Sequence, residues 1–503
     1  MQIINSFFSW LFKKRMHQID LFLKYPIEVQ EETLLKLLST AEKTEYGAKY
    51  KFAGIKNLRQ FSEQVPLMDY EILKPYVIRM KHGEKDLTWP GEVKWFAKSS
   101  GTTSDKSKFI PVTRESLEEC HFKGGKDMIT IYCQNQENTG IFTGKSLVIG
   151  GSRQINQFNT NSYYGDLSAI IIKNLPFWAD LMKTPDQEIA LMENWEEKVD
   201  KIARATINDN VTNITGVPSW TMIVLKRILE LSGKTHIKEV WPNLEVFFHG
   251  GVNFDPYRNQ YNVLIPGPMN YLELYNASEG FFGIQNDLSK NEMLLMLDYG
   301  IYYEFIPSTE WDKENPETIL LEDVSTGENY ELVISTNGGL WRYRIGDTIQ
   351  FTSTNPFEFI ISGRTKNYIN VFGEELMVHN AEKAIEIACL KTNSIVNEFT
   401  AGPVYLQSGQ SGAHEWIIEF EKAPENIDVF AEILDNALKS LNSDYEAKRV
   451  GDFILKKPII RVAPKNTFYR WMKERGKLGG QNKVPKLFNN RKYLDEINRM
   501  LQT

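Results

Sequence analysis

The chain has 503 residues, and 58 Lys and Arg against 65 Asp and Glu leave a formal charge of −7. At about 150 residues per domain, that length suggests two to four domains. With 42% apolar and 24% charged residues, a disordered chain and a disulfide scaffold are both excluded, and no basic excess marks the chain for nucleic acid.

Three cysteines, Cys120, Cys133 and Cys389, do not pair evenly and show no C-x-x-C spacing, so a reducing, cytoplasmic setting is expected. The seven histidines form no H-x-x-x-H or His/Cys cluster of the kind zinc requires. At the amino end, Phe7, Phe8, Trp10, Leu11 and Phe12 precede Lys13-Lys14-Arg15, the reverse of a secretory signal. No run approaches the roughly 20 apolar residues that span a bilayer. The segment reads as a helix packed on the main domain, with contact to a membrane surface or a partner as the alternative.

In chain order, the first stretch is helical. Leu21, Leu23, Ile27, Val29, Leu34, Leu35, Leu37 and Leu38 recur at helical spacing, and Pro26 separates one element from the next. Short β-rich runs then alternate with amphipathic helices. The expected strands are Val93–Ala97, Ser146–Ile149, Leu244–Phe248, Tyr271–Tyr275, Ile319–Val324, Tyr330–Ser335 and Trp341–Ile345, and the expected helices include Glu115–Ile131 and Ser219–Leu231. This alternation predicts an α/β fold whose late strands form an antiparallel subdomain. After Ile360-Ile361-Ser362-Gly363-Arg364 come helix Ala381–Leu390, strand Trp416–Phe420, helix Val429–Leu441, strand Ile459–Val462 and helix Phe468–Arg475. That is enough for a separate α+β domain. The reading is a body over residues 1–362 and a small domain over 363–503.

Five loops have the composition for chemistry. Lys98–Lys108 (K-S-S-G-T-T-S-D-K-S-K) follows a strand; its hydroxyls and Gly101 let backbone N–H groups approach a phosphate while lysine supplies charge. It is not a Walker A loop, because Lys106 stands where the second glycine belongs, and a polar surface turn is the plainer reading. In Tyr275–Gly283 (Y-N-A-S-E-G-F-F-G) one carboxylate, Glu279, ends a strand, which suits Mg²⁺ shared with substrate phosphates or a solvated turn. In Trp341–Asp347 (W-R-Y-R-I-G-D), alternation puts Arg342 and Arg344 on one strand face, which on the plain reading is an exposed basic face. Asp347 follows on the turn, where its two oxygens suit a ribose. Gly363–Asn367 and Gly479–Lys486 are glycine-bearing basic loops, suited to delivering a charge or simply to solvation.

In this order, the motifs resemble the ANL superfamily of adenylate-forming enzymes, and within it the auxin-responsive acyl-acid amido synthetase family. Ser99–Lys108 is similar to that family's S-S-G-T-[ST]…K loop, Tyr275–Phe282 to its Y-x-[AS]-S-E-x-F-F element, and Tyr343–Asp347 to Y-R-x-G-D. Trp241–Leu244 and Gly216–Trp220 look like further landmarks, and the resemblance runs from about Leu23 to the carboxyl end.

The resemblance implies an ANL-type fold, with ATP and Mg²⁺ as cofactors, and it implies roles residue by residue. Ser99, Ser100, Gly101, Thr102, Thr103 and Lys108 would hold the ATP phosphates. Glu279 would bind the metal and Asp347 the ribose. Gly250-Gly251-Val252 and Tyr275-Asn276-Ala277, with Ser278, would flank the adenine. Arg364 would meet nucleotide at the hinge, and Lys483, with Lys108, would be catalytic. Trp220, Thr221, Val224 and Phe281 are acyl-pocket candidates by position and apolar character, although such residues are more often core. Two departures stand out: Ser104-Asp105 replaces a glycine-bearing stretch of plant members, and Lys366-Asn367 stands where wider ANL enzymes often carry an acidic hinge residue.

The implied reaction is adenylation of a small carboxylic acid, then transfer of the acyl group to an amino acid amine, with residues 363–503 as a mobile lid. An acyl-CoA ligase using the same adenylate, or a non-catalytic nucleotide-binding relative, are the alternatives. The expected chain is a monomer that binds no nucleic acid and does not span a membrane.

Overall fold

The computed structural model describes residues 14–99, 108–136, 138–150, 156–158, 162–192, 194–251, 254–311, 313–365, 368–369, 371, 374, 376–405, 412–449, 455–477 and 483–502. The apolar run Phe7–Phe12, the loop interior Ser100–Ser107, Val252, Lys366-Asn367 and the glycines of the last loop therefore lie outside the described residues. Two compact units emerge: one comprises residues 1–252, 264–345 and 349–360, the other 253–263, 346–348 and 361–503.

In the first unit, helix Pro26–Ala41 starts with Pro26 in its first turn, where proline's missing N–H costs nothing. Its buried residues Gln30, Leu34, Leu37, Leu38 and Ala41 follow the three-to-four spacing read from the sequence. Gln30 is stitched to a sheet edge: its amide donates to the carbonyls of Leu297 and Ile301, and its oxygen accepts from the Tyr303 N–H at 2.9 Å. Each leucine fully buried on this face contributes about 1.5–3 kcal/mol.

The unit's main sheet has eleven strands among the described residues. Their spatial order is Ile301–Pro307, Asn329–Thr336, Tyr343–Thr354, Phe357–Arg364, Met293–Leu295, Gly280–Ile284, Asn270–Ala277, Val246–Gly250, Val211–Gly216, Lys145–Val148 and Lys183–Thr184. From Asn270–Ala277 to Lys183–Thr184 the neighbours run parallel. These strands have nearly continuous apolar cores such as Val246-Phe247-Phe248, as strands covered on both faces must. From Gly280 onward, Gly280–Ile284 pairs antiparallel with Asn270–Ala277 and Met293–Leu295, Met293–Leu295 with Phe357–Arg364, and Ile301–Pro307 with Asn329–Thr336, as expected, in one sheet with the parallel half.

Two expected strands differ. Ile319–Val324 makes one bridge, Ile319 to Phe305, and then turns as a 3₁₀ helix over Leu321–Asp323. That turn buries Leu321 and Val324, three apart, and leaves Glu322 and Asp323 in water. The strand expected at Trp341 starts only at Tyr343 and runs to Thr354, because Arg342 takes a left-handed φ of 45°.

In the second unit, strands Ile395–Tyr405, Gly412–Lys422 and Ile459–Ala463 form one sheet, the first pair antiparallel and the second parallel. Alternation on Gly412–Lys422 sends Trp416, Ile418 and Phe420 to one core with helices Val378–Thr392 and Ile427–Leu441. Ile417 faces a second core built by helices Thr467–Glu474 and Lys492–Gln502. Among the described residues, no helix is long and apolar enough to cross a membrane.

Candidate active site

Strands Val211–Gly216, Val246–Gly250 and Asn270–Ala277 run parallel and end along one edge of the sheet. Their register sets Gly216 beside His249 and Gly250 beside Leu274. In open α/β sheets, ligands bind outside such carboxyl ends. The edge is opened by missing side chains. A Cβ on Gly250 would lie 2.3 Å from the Leu274 carbonyl oxygen, and Gly251 turns the chain at φ +82°. Gly251 and the Tyr275-Asn276-Ala277 end are thus brought together, as the sequence reading places them.

Ala277 pairs with Gly280, so Ser278 and Glu279 alone link two antiparallel strands. Ser278 is buried, and its hydroxyl has no hydrogen-bond partner. An orphaned buried donor is costly unless something else meets it. Glu279 is half-buried in the two-residue link. One carboxylate on a turn fits Mg²⁺, which takes one or two protein carboxylates and keeps its other ligands as water and phosphate. No group of three or more His, Cys, Asp or Glu side chains suited to a metal cage occurs among the described residues.

The phosphate loop is described only at its ends. Ser99 and Lys108 are cross-strand partners at the ends of the antiparallel strands Trp95–Ser99 and Lys108–Val112. The hairpin is held from helix Tyr70–Lys81, where the Tyr70 hydroxyl accepts from the Phe109 N–H at 2.8 Å. The Lys81 ammonium lies 3.5 Å from the Phe109 ring centre and 4.1 Å from that of Phe158, and burial pushes its pKa down to about 8.

The acyl-pocket candidates fall in two places. Trp220, Thr221 and Val224 lie on helix Pro218–Ser232, which begins just past Gly216. Trp220 is half-buried, with its ring centre 5.5 Å from that of Trp195. Val224 is fully buried, and Thr221 is buried with its hydroxyl unpartnered. Phe281 instead packs inward, its ring against Gly124 and edge-on to Tyr299.

Arg342 and Arg344 do not form an exposed basic face. Arg342 is buried, pairs with Glu304 through Nε and Nη2 at 2.9 Å, and donates to the carbonyls of Ser62 and Val65 at 2.7 Å. Arg344 pairs with Glu331 at 2.6 Å. Glu331 on the neighbouring strand and Glu304 one strand further claim the two guanidinia, which alternation along a single strand does not reveal.

In the second unit, three further candidates meet. Asp347 Oδ1 lies 2.6 Å from Arg364 Nε across adjacent strands. Lys483 interacts electrostatically with both, and also with Glu382 and Lys486. Its side chain keeps solvent access, yet the protein crowded around the ammonium pushes its pKa down to about 8; Asp347 opposes that shift and Arg364 adds to it. The sequence reading missed Glu382, a buried acid on helix Val378–Thr392 that carries no motif signal.

A family model for the GH3 family N-terminal domain matches residues 15–269, the central domain 294–364 and the C-terminal domain 379–492. The chain belongs to the GH3 family. Among curated relatives it is similar to indole-3-acetic acid-amido synthetase GH3.3 of Arabidopsis thaliana, at 25% identity over 91% of this chain and 89% of that one. Among solved structures it is similar to GH3.15 acyl acid amido synthetase, with a TM-score of 0.76 at 19% identity, covering 94% of this chain and 93% of that one. A 2-hydroxyisobutyryl-CoA ligase in its postadenylation state follows, at TM-score 0.58 and 12% identity over 94% and 91% of the two chains. The fold is thus the one GH3 proteins share with other adenylating ligases; Ser99–Lys108 and Tyr343–Asp347 fall within the matched family segments, and Tyr275–Phe282 lies between two of them.

Proposed function

We propose that this GH3 chain is an ATP-dependent, AMP-forming acyl-acid amido synthetase. It activates a carboxylic acid as an acyl-adenylate and passes the acyl group to an amino acid amine. The observation that carries this reading is the meeting of Asp347, Arg364 and Lys483 in one unit although the chain keeps them far apart. An acid-amido synthetase among its relatives supports the amine acceptor.

A carboxylate is a poor acyl donor because its charge repels a nucleophile. Attack on the α-phosphate of ATP expels pyrophosphate, and like other phosphoryl transfers it needs alignment and neutralised charge more than covalent help. Residues 99–103 and Lys108 cradle the phosphates, Asp347 holds the ribose, and Gly251, Val252 and Tyr275–Ser278 flank the base. Glu279 holds Mg²⁺, which neutralises phosphate charge when bound. Lys483 adds a cation during adenylation, with residues 363–503 acting as a mobile lid. The amine then attacks the acyl carbon, and AMP leaves.

The test is ATP–pyrophosphate exchange over a panel of aryl and aliphatic carboxylates, followed by AMP release with amino acids or CoA. Exchange with one acid and amino-acid-dependent AMP release are expected. CoA-dependent release would make the chain an acyl-CoA ligase, and no exchange with any acid would make it a non-catalytic nucleotide binder.

A further inference from the structure

The helix behind the Tyr275–Phe281 hairpin meets it at three points. This helix opens with a widened π-turn over Ser116–His121 and continues as Phe122–Asn135. Widened turns of this kind recur at functional sites because they redirect side chains that a regular helix would turn away. The first point is Cys120, whose buried Sγ accepts from the Phe281 N–H at 3.2 Å. The second is His121, equally buried, whose Nδ1 lies 3.1 Å from Asn276 Oδ1. The third is Gly124, where a Cβ would come within 2.5 Å of the Phe281 ring, so the ring packs against bare backbone. One helix therefore grips both strands of the hairpin, the first through Asn276 and the second through Phe281.

Of these contacts, only His121 touches a side chain assigned to the nucleotide. Asn276 is otherwise exposed at its strand end, and a short amide there has several rotamers open to it. Burial pushes the His121 pKa down to about 4, so the ring is neutral near pH 7. With Oδ1 of Asn276 as acceptor, the proton sits on Nδ1.

We propose that His121 is a positioning residue for ATP, orienting the Asn276 amide toward the adenine through its Nδ1–H. The inference rests on the nucleotide reading of the Tyr275–Ser278 strand end. Two substitutions separate positioning from packing. His121→Leu keeps buried apolar volume and loses the donor. His121→Asn loses volume, but its amide nitrogen occupies the place of Nδ1.

The measurement is the Kd of Mg·ATP by calorimetry on the full chain, with melting temperature recorded alongside. His121→Leu is expected to weaken ATP about tenfold while melting near wild type, and His121→Asn to stay within about threefold of wild-type Kd despite melting lower. A purely structural role predicts the reverse ranking. If His121→Leu does not fold, His121→Ala replaces it in the same comparison with His121→Asn. Wild-type affinity in folded His121→Leu or His121→Ala overturns the positioning role alone. A wild-type chain that binds no ATP overturns the nucleotide reading and this role with it.

Discussion

Asp347 Oδ1 is 2.6 Å from Arg364 Nε, and the two residues sit on adjacent strands at 17% and 32% side-chain exposure. A guanidinium bound this closely fixes how the carboxylate faces, which matters if its oxygens are to meet two ribose hydroxyls. Asp347→Ala should therefore weaken ATP binding about tenfold, roughly 1.4 kcal/mol. Arg364→Ala leaves the carboxylate but frees its orientation, and should cost less. Calorimetry with ATP checks both, and an unchanged Kd in Asp347→Ala would remove Asp347 from the ribose role.

The Arg342–Glu304 pair makes a contrasting prediction, because it supports the fold and takes no part in the chemistry. Both side chains are almost fully buried, and Thr318 Oγ1 accepts from Arg342 Nη2 at 2.7 Å. Removing one partner leaves a buried, uncompensated charge. Glu304→Ala should lower unfolding stability by about 3–5 kcal/mol, read by urea denaturation. The fraction that remains folded should bind ATP as wild type does.

These two pairs also show what the sequence could reveal. Asp347 is expected on a turn after Gly346, but the strand runs on through it to Thr354, and only the pairing with Phe357–Arg364 sets it beside Arg364. Arg342 was misread because its left-handed φ takes it out of the alternation, ahead of the strand, and its partner Glu304 lies two strands away from Tyr343–Thr354. Glu304 and Glu331 become partners only once the sheet order is known. Strand Ile395–Tyr405 escaped notice for a related reason: Asn397, Thr400, Gly402 and Pro403 read as loop, and the strand is held by its pairing with Gly412–Lys422. Helix Lys492–Gln502 was legible in principle, since Tyr493, Leu494 and Ile497 recur at helical spacing and are all buried. The His121–Asn276 contact lay beyond reach, because nothing local marks a histidine that will meet a strand end far along the chain.

His121 predicts a pH dependence of stability. An unfolded chain takes up a proton on this ring near pH 6.5, whereas burial holds the folded pKa down to about 4. Below pH 6.5 the unfolded state therefore binds more protons than the folded state. This group's contribution is fully present above pH 6.5 and is lost as pH falls toward 4, by at most about 3 kcal/mol. Other groups titrate in the same window, so the quantity to measure is the difference between wild type and His121→Leu. Urea denaturation should show that difference shrinking, or reversing in favour of leucine, between pH 7 and pH 4.5. A difference constant across this range would mean that the ring does not stay neutral when folded.

Lys483 predicts a second pH dependence, of opposite sign and in the reaction itself. With a pKa lowered to about 8, the free enzyme carries the ammonium below that pH and loses it above. A bound triphosphate would hold the proton more firmly, so kcat/KM, which reports the free enzyme, is the profile to read. For pyrophosphate exchange it should fall above about pH 8, and in Lys483→Arg, whose guanidinium stays charged, the fall should move to higher pH. Lys483→Ala should lower exchange about 10²-fold or more at pH 7, as loss of a charge-stabilising group does. The later step, measured as amino-acid-dependent AMP release from preformed acyl-adenylate, should change far less, because a lysine that acts only in adenylation serves the departure of pyrophosphate, which has already left. Wild-type exchange in Lys483→Ala would show that the cluster of Asp347, Arg364 and Lys483 serves the fold of its unit and not the transfer of the adenylyl group.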